Sequence, residues 1–256
     1  MNIVKVKTSQ GCLNKNIGCE EAPDKIVEEL DNIWAREDGA NKDYKISEVK
    51  IVKGNLEDTN KNIFDSKGDL FIGGDHSITY FLAKGLVKEK GETGIISFDA
   101  HPDCFKTENF NIPTHEDWIM HLVKEKIIDP KNIILVGCRN PDPKELEFIE
   151  ENKIKYYDMK RVDESKENVC DNIMEIANKF KNLYLSIDID VVDPAFAPGT
   201  GYLEVAGMTS RDLIYFVQRL RFLKNLKRID LVEINPKKDI NNMTVKLGAK
   251  IIKELI

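Results

Sequence analysis

The chain has 256 residues, 41% apolar and 32% charged, with a formal net charge of -6, values ordinary for a globular protein and ample for a sizeable core. The acidic balance excludes a basic footprint for nucleic acid, and no apolar run approaches the roughly 20 residues of a membrane-spanning helix. Taken in chain order, Met1 to Lys7 reads as a strand, without the apolar core of a signal peptide.

Apolar β-rich runs predict strands near 3–7, 47–52, 69–72, 94–98, 132–136, 154–157, 182–187 and 228–233. Helical patterns fall between them, over 23–35, 76–88, 115–126, 143–152, 163–179, 209–220 and 241–255. Within these, Thr209-Ser210-Arg211-Asp212 has the form of a helix start, a hydroxyl cap followed by an acid in the first turn. The alternation predicts an α/β domain around a parallel sheet. No Ser/Gly-rich linker, repeat or low-complexity tract interrupts it, so residues 1–256 are expected to form one domain. The five cysteines, Cys12, Cys19, Cys104, Cys138 and Cys170, form no CxxC pair, which predicts free thiols in a reducing cytoplasm.

The long loops 8–22, 99–114, 191–208 and 234–240 all follow strands. Ligands of parallel α/β sheets bind beyond the carboxyl ends of the strands, and three polar motifs lie at that edge. They are Gly73-Gly74-Asp75-His76-Ser77, Asp99-Ala100-His101-Pro102-Asp103 and Asp188-Ile189-Asp190-Val191-Val192-Asp193. In extended chain, side chains two apart point the same way, so Asp99, His101 and Asp103 converge on one point. Such acids would repel one another unless a cation sat among them. Two of the four histidines, His76 and His101, fall at strand ends beside acids. Asp188 and Asp190 continue a strand through Leu183, Leu185 and Ile187, where two uncompensated carboxylates would be costly.

The candidate metal ligands are therefore His76, Asp99, His101, Asp103, Asp188 and Asp190. Six ligands, mostly oxygen, exceed one tetrahedral zinc and suit two harder divalent ions sharing carboxylates. Two Mn²⁺ per chain are the first choice, with Zn²⁺, Ni²⁺, Co²⁺ and Fe²⁺ left open. Cys104 is a further soft candidate, although its side chain should point away from that of Asp103.

In order and spacing, Gly-Gly-Asp-His-Ser, Ser-Phe-Asp-Ala-His-x-Asp and Ser-Ile-Asp-Ile-Asp-x-x-Asp-Pro-x-x-x-Pro-Gly-Thr-Gly resemble the arginase/agmatinase family of ureohydrolases. Gly11 to Pro23, Val136-Gly137-Cys138-Arg139 and Val232-Glu233-Ile234-Asn235-Pro236 extend the resemblance over most of the chain. It implies a three-layer αβα fold with a mostly parallel eight-stranded sheet, a binuclear manganese centre and a homo-oligomer, trimer or hexamer. By matching position, Asp99 and Asp188 would bridge the ions, His76 and Asp103 would complete one site, and His101 and Asp190 the other.

The resemblance further implies hydrolysis of a guanidino compound such as agmatine or arginine to urea and an amine. Two cations holding one water lower its pKa toward ~7 and make a hydroxide available. Asp103 would pass its proton to the leaving nitrogen. Glu233 would pair with the guanidinium, and His115 resembles the family's proton-shuttling histidine. His121, in an amphipathic helix, reads as structural. The chain departs from the family at Phe105, at Asn111 and Pro113, at Glu116 after the shuttling histidine, and over Tyr202 to Gly207. The segment Gly54 to Gly68 is also shorter than the family's usual helix. These departures leave the substrate open. They also keep three rivals: a formimino hydrolase, a single-zinc deacetylase (which carries a His-His pair absent here) and a non-catalytic metal-binding relative.

Overall fold

A computed structural model of the chain describes residues 1–105 and 112–256. Eight parallel strands form one sheet: β1 (Asn2–Lys5), β2 (Lys45–Glu48), β3 (Leu70–Ile72), β4 (Thr93–Phe98), β5 (Ile133–Val136), β6 (Lys155–Tyr157), β7 (Asn182–Asp188) and β8 (Leu226–Val232). Their order across the sheet is β2-β1-β3-β8-β7-β4-β5-β6. The last two strands in sequence thus slot into the middle, between β3 and β4. Register pairs Ile72 with Leu231, Asp188 with Val232, and Phe98 with Ile187. The four central strands therefore end side by side on one rim.

The helices are α1 (Ala22–Leu30), α2 (Leu56–Asp65), α3 (Ile78–Lys90), α4 (Trp118–Lys124), α5 (Pro143–Asn152), α6 (Met159–Glu164), α7 (Lys166–Ala177), α8 (Ser210–Leu220) and α9 (Met243–Leu255). Side chains alternate across the pleat, and the strands feed two apolar cores. Ile3, Leu70, Ile72, Ile96, Phe98, Leu183 and Leu185 pack with α1, α7, α8 and α9. Val4, Phe71, Ile95, Leu135 and Tyr184 pack with α2, α3, α4 and α5. The result is the expected three-layer αβα arrangement with a fully parallel eight-stranded sheet.

All eight expected strands form, and the start of α8 is a capping box in which Thr209 and Asp212 each accept from the other's backbone N–H. The differences lie where the apolar pattern is thin. No apolar pattern predicts helix α2, because only Thr59 and Ile63 of its ten residues are buried; its start is held by the Asn55 cap, which accepts from Asp58 N. The expected helix over 163–179 is two helices meeting at Ser165. Strand β2 forms at 45–48 rather than 47–52, as an edge strand with all four residues exposed, so burial fixes its register weakly. Helix α1 stops at Leu30, short of residue 35, and α4 starts at Trp118, so His115 precedes that helix instead of opening it. Among the described residues, no helix is long and apolar enough to cross a membrane, and all five cysteines are free and buried.

Candidate metal centre

The site lies where β3, β8, β7 and β4 end. Beyond β3, Gly73 and Gly74 carry the chain into α3. A Cβ on Gly74 would sit 1.9 Å from the carbonyl oxygen of Thr8, so only glycine permits the loop after β1 to pass there. His76 follows and is buried. Its Nδ1 lies 2.9 Å from Asp103 Oδ2, 3.1 Å from Asp99 Oδ2 and 3.2 Å from Asp188 Oδ2. On the neighbouring side, His101 Nδ1 lies 3.0 Å from Asp190 Oδ2 and 3.4 Å from Asp99 Oδ1. Two groups of potential ligands result, His76–Asp99–Asp103 and Asp99–His101–Asp190, with Asp99 common to both. All six ligands inferred from sequence meet at one place. Cys104 does not join them: its thiol packs in the apolar core and faces the carbonyl of Glu145 at 3.8 Å.

Second contacts orient these groups. Ser186 Oγ donates to Asp230 Oδ1 at 2.7 Å and lies 2.8 Å from His76 Nε2. Because the hydroxyl proton goes to Asp230, Ser186 accepts the Nε2 proton and leaves Nδ1 facing the carboxylates. Trp118 Nε1 donates to Asp103 Oδ2 at 2.7 Å. Backbone N–H groups of His101, Ala100 and Asp190 donate to Asp99, Asp190 and Asp188 respectively. Asp103 and Glu233 hold φ values of 50° and 64°, a left-handed backbone unusual for such residues.

The donor set fits divalent cations. Three carboxylate oxygens crowd one imidazole nitrogen, and His76 Nδ1 and Asp99 Oδ2 are buried without a hydrogen-bond partner. Burial pushes the carboxyl groups of Asp103 and Asp188 far above the usual range, and the neighbouring carboxylates of Asp99 and Asp190 push further. Asp190 rises for the same reasons, burial and Asp99. Asp99 is held low despite its burial, by His101 and His76. Four buried acids sharing two imidazoles are short of positive charge, and oxygen-rich ligands of this kind suit hard or borderline divalent ions.

Glu233 ends β8 beside this cluster. Its Oε1 accepts from His76 N at 2.7 Å, and its Oε2 accepts from Asn16 Nδ2 at 2.6 Å. Burial raises its pKa, but His115 and Asn16 outweigh that and hold it below the usual value. His115 Nδ1 lies 3.5 Å from Glu233 Oε1. Burial lowers the imidazole pKa, yet the adjoining Glu233 lifts it to about 9. His121 is buried in α4, its ring edge-on to Tyr80 at 5.8 Å.

A cavity of about 460 Å³ opens onto these groups and is lined by His101, Asp103, His115, Asp188, Asp190 and Glu233 from the site and by Phe105, Glu116, Tyr202 and Glu204 from its rim. Of the family departures, Asn111 lies outside the described residues, and Pro113 is buried just before His115. Asn16, Ser186, Trp118, Tyr202 and Glu204 carry no sequence signal of their own. Asn16 lies in a Gly- and Asn-rich loop whose partner, Glu233, is 217 residues away, so no local pattern marks it.

The chain matches the protein-family model described as the arginase family over residues 3–256. An arginase of Staphylococcus aureus (strain MRSA252) is 30% identical over 210 residues, covering 77% of this chain and 70% of that one. An agmatinase of Bacillus subtilis (strain 168) is 32% identical over 188 residues, 72% of this chain, and the match spans only 61% of its own length. The fold is shared with a crystal structure of formimidoylglutamase from Bacillus subtilis, at a TM-score of 0.90 and 24% identity, covering 99% of this chain and 85% of that one. Matched along almost its whole length and built on the same fold, the chain belongs to the arginase family.

Proposed function

We propose that the protein hydrolyses a carbon–nitrogen bond of a guanidino compound, releasing urea and an amine, with two divalent cations held by His76, Asp99, His101, Asp103, Asp188 and Asp190. Mn²⁺ is the first choice for a site so rich in carboxylate. The observation that carries this reading is the pair of ligand groups joined through Asp99 and open to one cavity. Asp99 and Asp188 would be shared, His76 and Asp103 would serve one ion, and His101 and Asp190 the other.

When bound, such an ion pair supplies a nucleophile at neutral pH by acidifying water. The protein's own residues do the rest. Each oxygen of Glu233 already accepts one hydrogen bond, which fixes the plane of the carboxylate and leaves a second lone pair on each for the guanidinium. Asp103, clamped by Trp118, takes a proton from the attacking water and delivers it to the departing nitrogen. The carbon–nitrogen bond breaks, the amine leaves with that proton, and the carbon retains the oxygen as urea. His115, at the cavity wall, exchanges protons with solvent.

Urea release is measured with Mn²⁺-loaded protein over arginine, agmatine, 4-guanidinobutyrate and 3-guanidinopropionate, beside metal content per chain. Urea from at least one compound, with two ions bound, is expected. Urea from none sinks the guanidino reading, and formamide from a formimino compound would move the assignment to formimino hydrolysis. A single bound zinc would point to a deacetylase instead.

A further inference from the structure

The rim of the cavity is formed by Phe105, Glu116, Tyr202 and Glu204. Tyr202 lies between two histidines, stacked on His115 at 6.0 Å and edge-on to His101 at 5.4 Å. Its hydroxyl donates to Glu116 Oε1 at 3.0 Å. Across the ring, Glu204 Oε1 accepts from Asn140 Nδ2 at 2.9 Å and lies 3.4 Å from His101 Nε2. Two carboxylates and an aromatic face therefore border the path from solvent to the metal ligands.

Other acids on the wall are engaged elsewhere. Glu145 accepts from the backbone of Cys104 and Asp142, and Asp142 accepts from Lys144 N, so both serve the start of α5. Glu116 and Glu204 hold no such cap. No lysine or arginine is among the described residues that line the cavity; the imidazole of His115, 3.7 Å from Glu116 Oε1, offsets part of that carboxylate's charge and leaves the described wall acidic. His115 Nε2 and Thr200 Oγ1 also line the cavity, buried and without a hydrogen-bond partner. A cleft walled by one sign of charge concentrates the opposite sign, and an aromatic face adds attraction for a cation.

We infer that Glu116 and Glu204 are specificity-determining residues that select a guanidino substrate whose far end is cationic over one whose far end is neutral or anionic. This rests on the guanidino reading above. The guanidinium head goes to Glu233, and the tail, pointing back toward solvent, meets the Glu116–Tyr202–Glu204 rim. An anionic tail meets the same carboxylates with repulsion and finds no lysine or arginine among the described residues of the wall.

The test uses three compounds with the same head and a similar spacer: agmatine, n-butylguanidine and 4-guanidinobutyrate. For the Mn²⁺-loaded wild type, kcat/KM should fall in that order. Glu116→Gln and Glu204→Gln should each cut the agmatine-to-butylguanidine ratio of kcat/KM roughly threefold to tenfold. The ratio cancels any change in turnover common to both compounds, and glutamine keeps the acceptor for Tyr202. Equal kcat/KM for all three compounds, or a ratio that neither substitution moves, overturns the inference. Calorimetric binding of the same compounds separates the two readings. Binding ranked by tail charge without urea release overturns hydrolysis and upholds the rim, whereas urea release without ranking overturns the rim alone.

Discussion

His76 shows how one residue's environment decides its chemistry. Its Nε2 is taken by Ser186, itself committed to Asp230, and the remaining nitrogen is aimed at three carboxylates. Removing the hydroxyl leaves the imidazole free to choose its tautomer and its angle. Ser186→Ala should therefore weaken Mn²⁺ binding by about 10- to 100-fold, read by calorimetric titration; unchanged affinity would show that the relay does not orient His76. Glu233 is the complementary case. Its backbone sits at φ 64°, its carboxylate is pinned by His76 N and Asn16, and its burial is compensated by those donors. Sequence marks Glu233 as a strand-end acid and no more. The resemblance to a family suggests a role for it, and Asn16 becomes visible only once the first loop is laid against β8.

Helix ends and docked helices supply stability remote from the site. The capping box at the start of α8 was legible in Thr209-Ser210-Arg211-Asp212, because its hydrogen bonds are local. Thr209→Ala should cost about 1 kcal/mol in chemical denaturation, with metal binding unchanged. Helix α9 is held by a contact no local pattern announces. Glu254 is fully buried and accepts from Glu37 N at 2.8 Å, Gln218 Nε2 at 3.0 Å and Lys250 Nζ at 2.6 Å. Burial opposes its ionisation, but Lys250 and these donors prevail and lower its pKa from 4.5. A depressed pKa contributes stability above the unfolded value and loses it as pH falls through the folded one. Glu254→Gln should therefore lower the denaturation midpoint at pH 7, and the gap from wild type should close as pH drops below 4.5. A gap of constant size across that range would contradict this account. Helix α2 teaches the opposite lesson: with only two buried residues, it lacks the apolar stripe on which sequence reading depends.

Across the whole molecule, the candidate metal centre is a concentration of buried charge at the end of the sheet. Burial and mutual repulsion raise Asp103, Asp188 and Asp190. An acid whose folded pKa is raised costs stability as pH climbs above its unfolded value, because the folded state must then either keep a proton or bury a charge. A bound cation removes that cost and competes with the protons. Adding Mn²⁺ to chelator-treated protein should raise Tm, and the rise should be larger at pH 8 than at pH 5. A rise independent of pH would mean that these carboxylates do not carry the linkage.

The parallel α/β class, the eight strands and the six side chains proposed to hold metal are readable from the chain because each rests on short-range order. Strand and helix periods repeat within a few residues, and the i, i+2, i+4 spacing of Asp99, His101 and Asp103 already aims three side chains together. What joined those motifs was the insertion of β7 and β8 between β3 and β4, which sets His76, Glu233, Asp188 and Asp99 at neighbouring strand ends. Only that arrangement brought Asn16 to Glu233, Ser186 to His76, and Glu116 to Tyr202. Each rests on one or two hydrogen bonds or contacts between segments distant in sequence, and such contacts leave no periodic trace in either segment. The proposed metal ligands are thus written locally, whereas the groups that orient them and the charge along the cavity rim are decided by how the sheet is assembled.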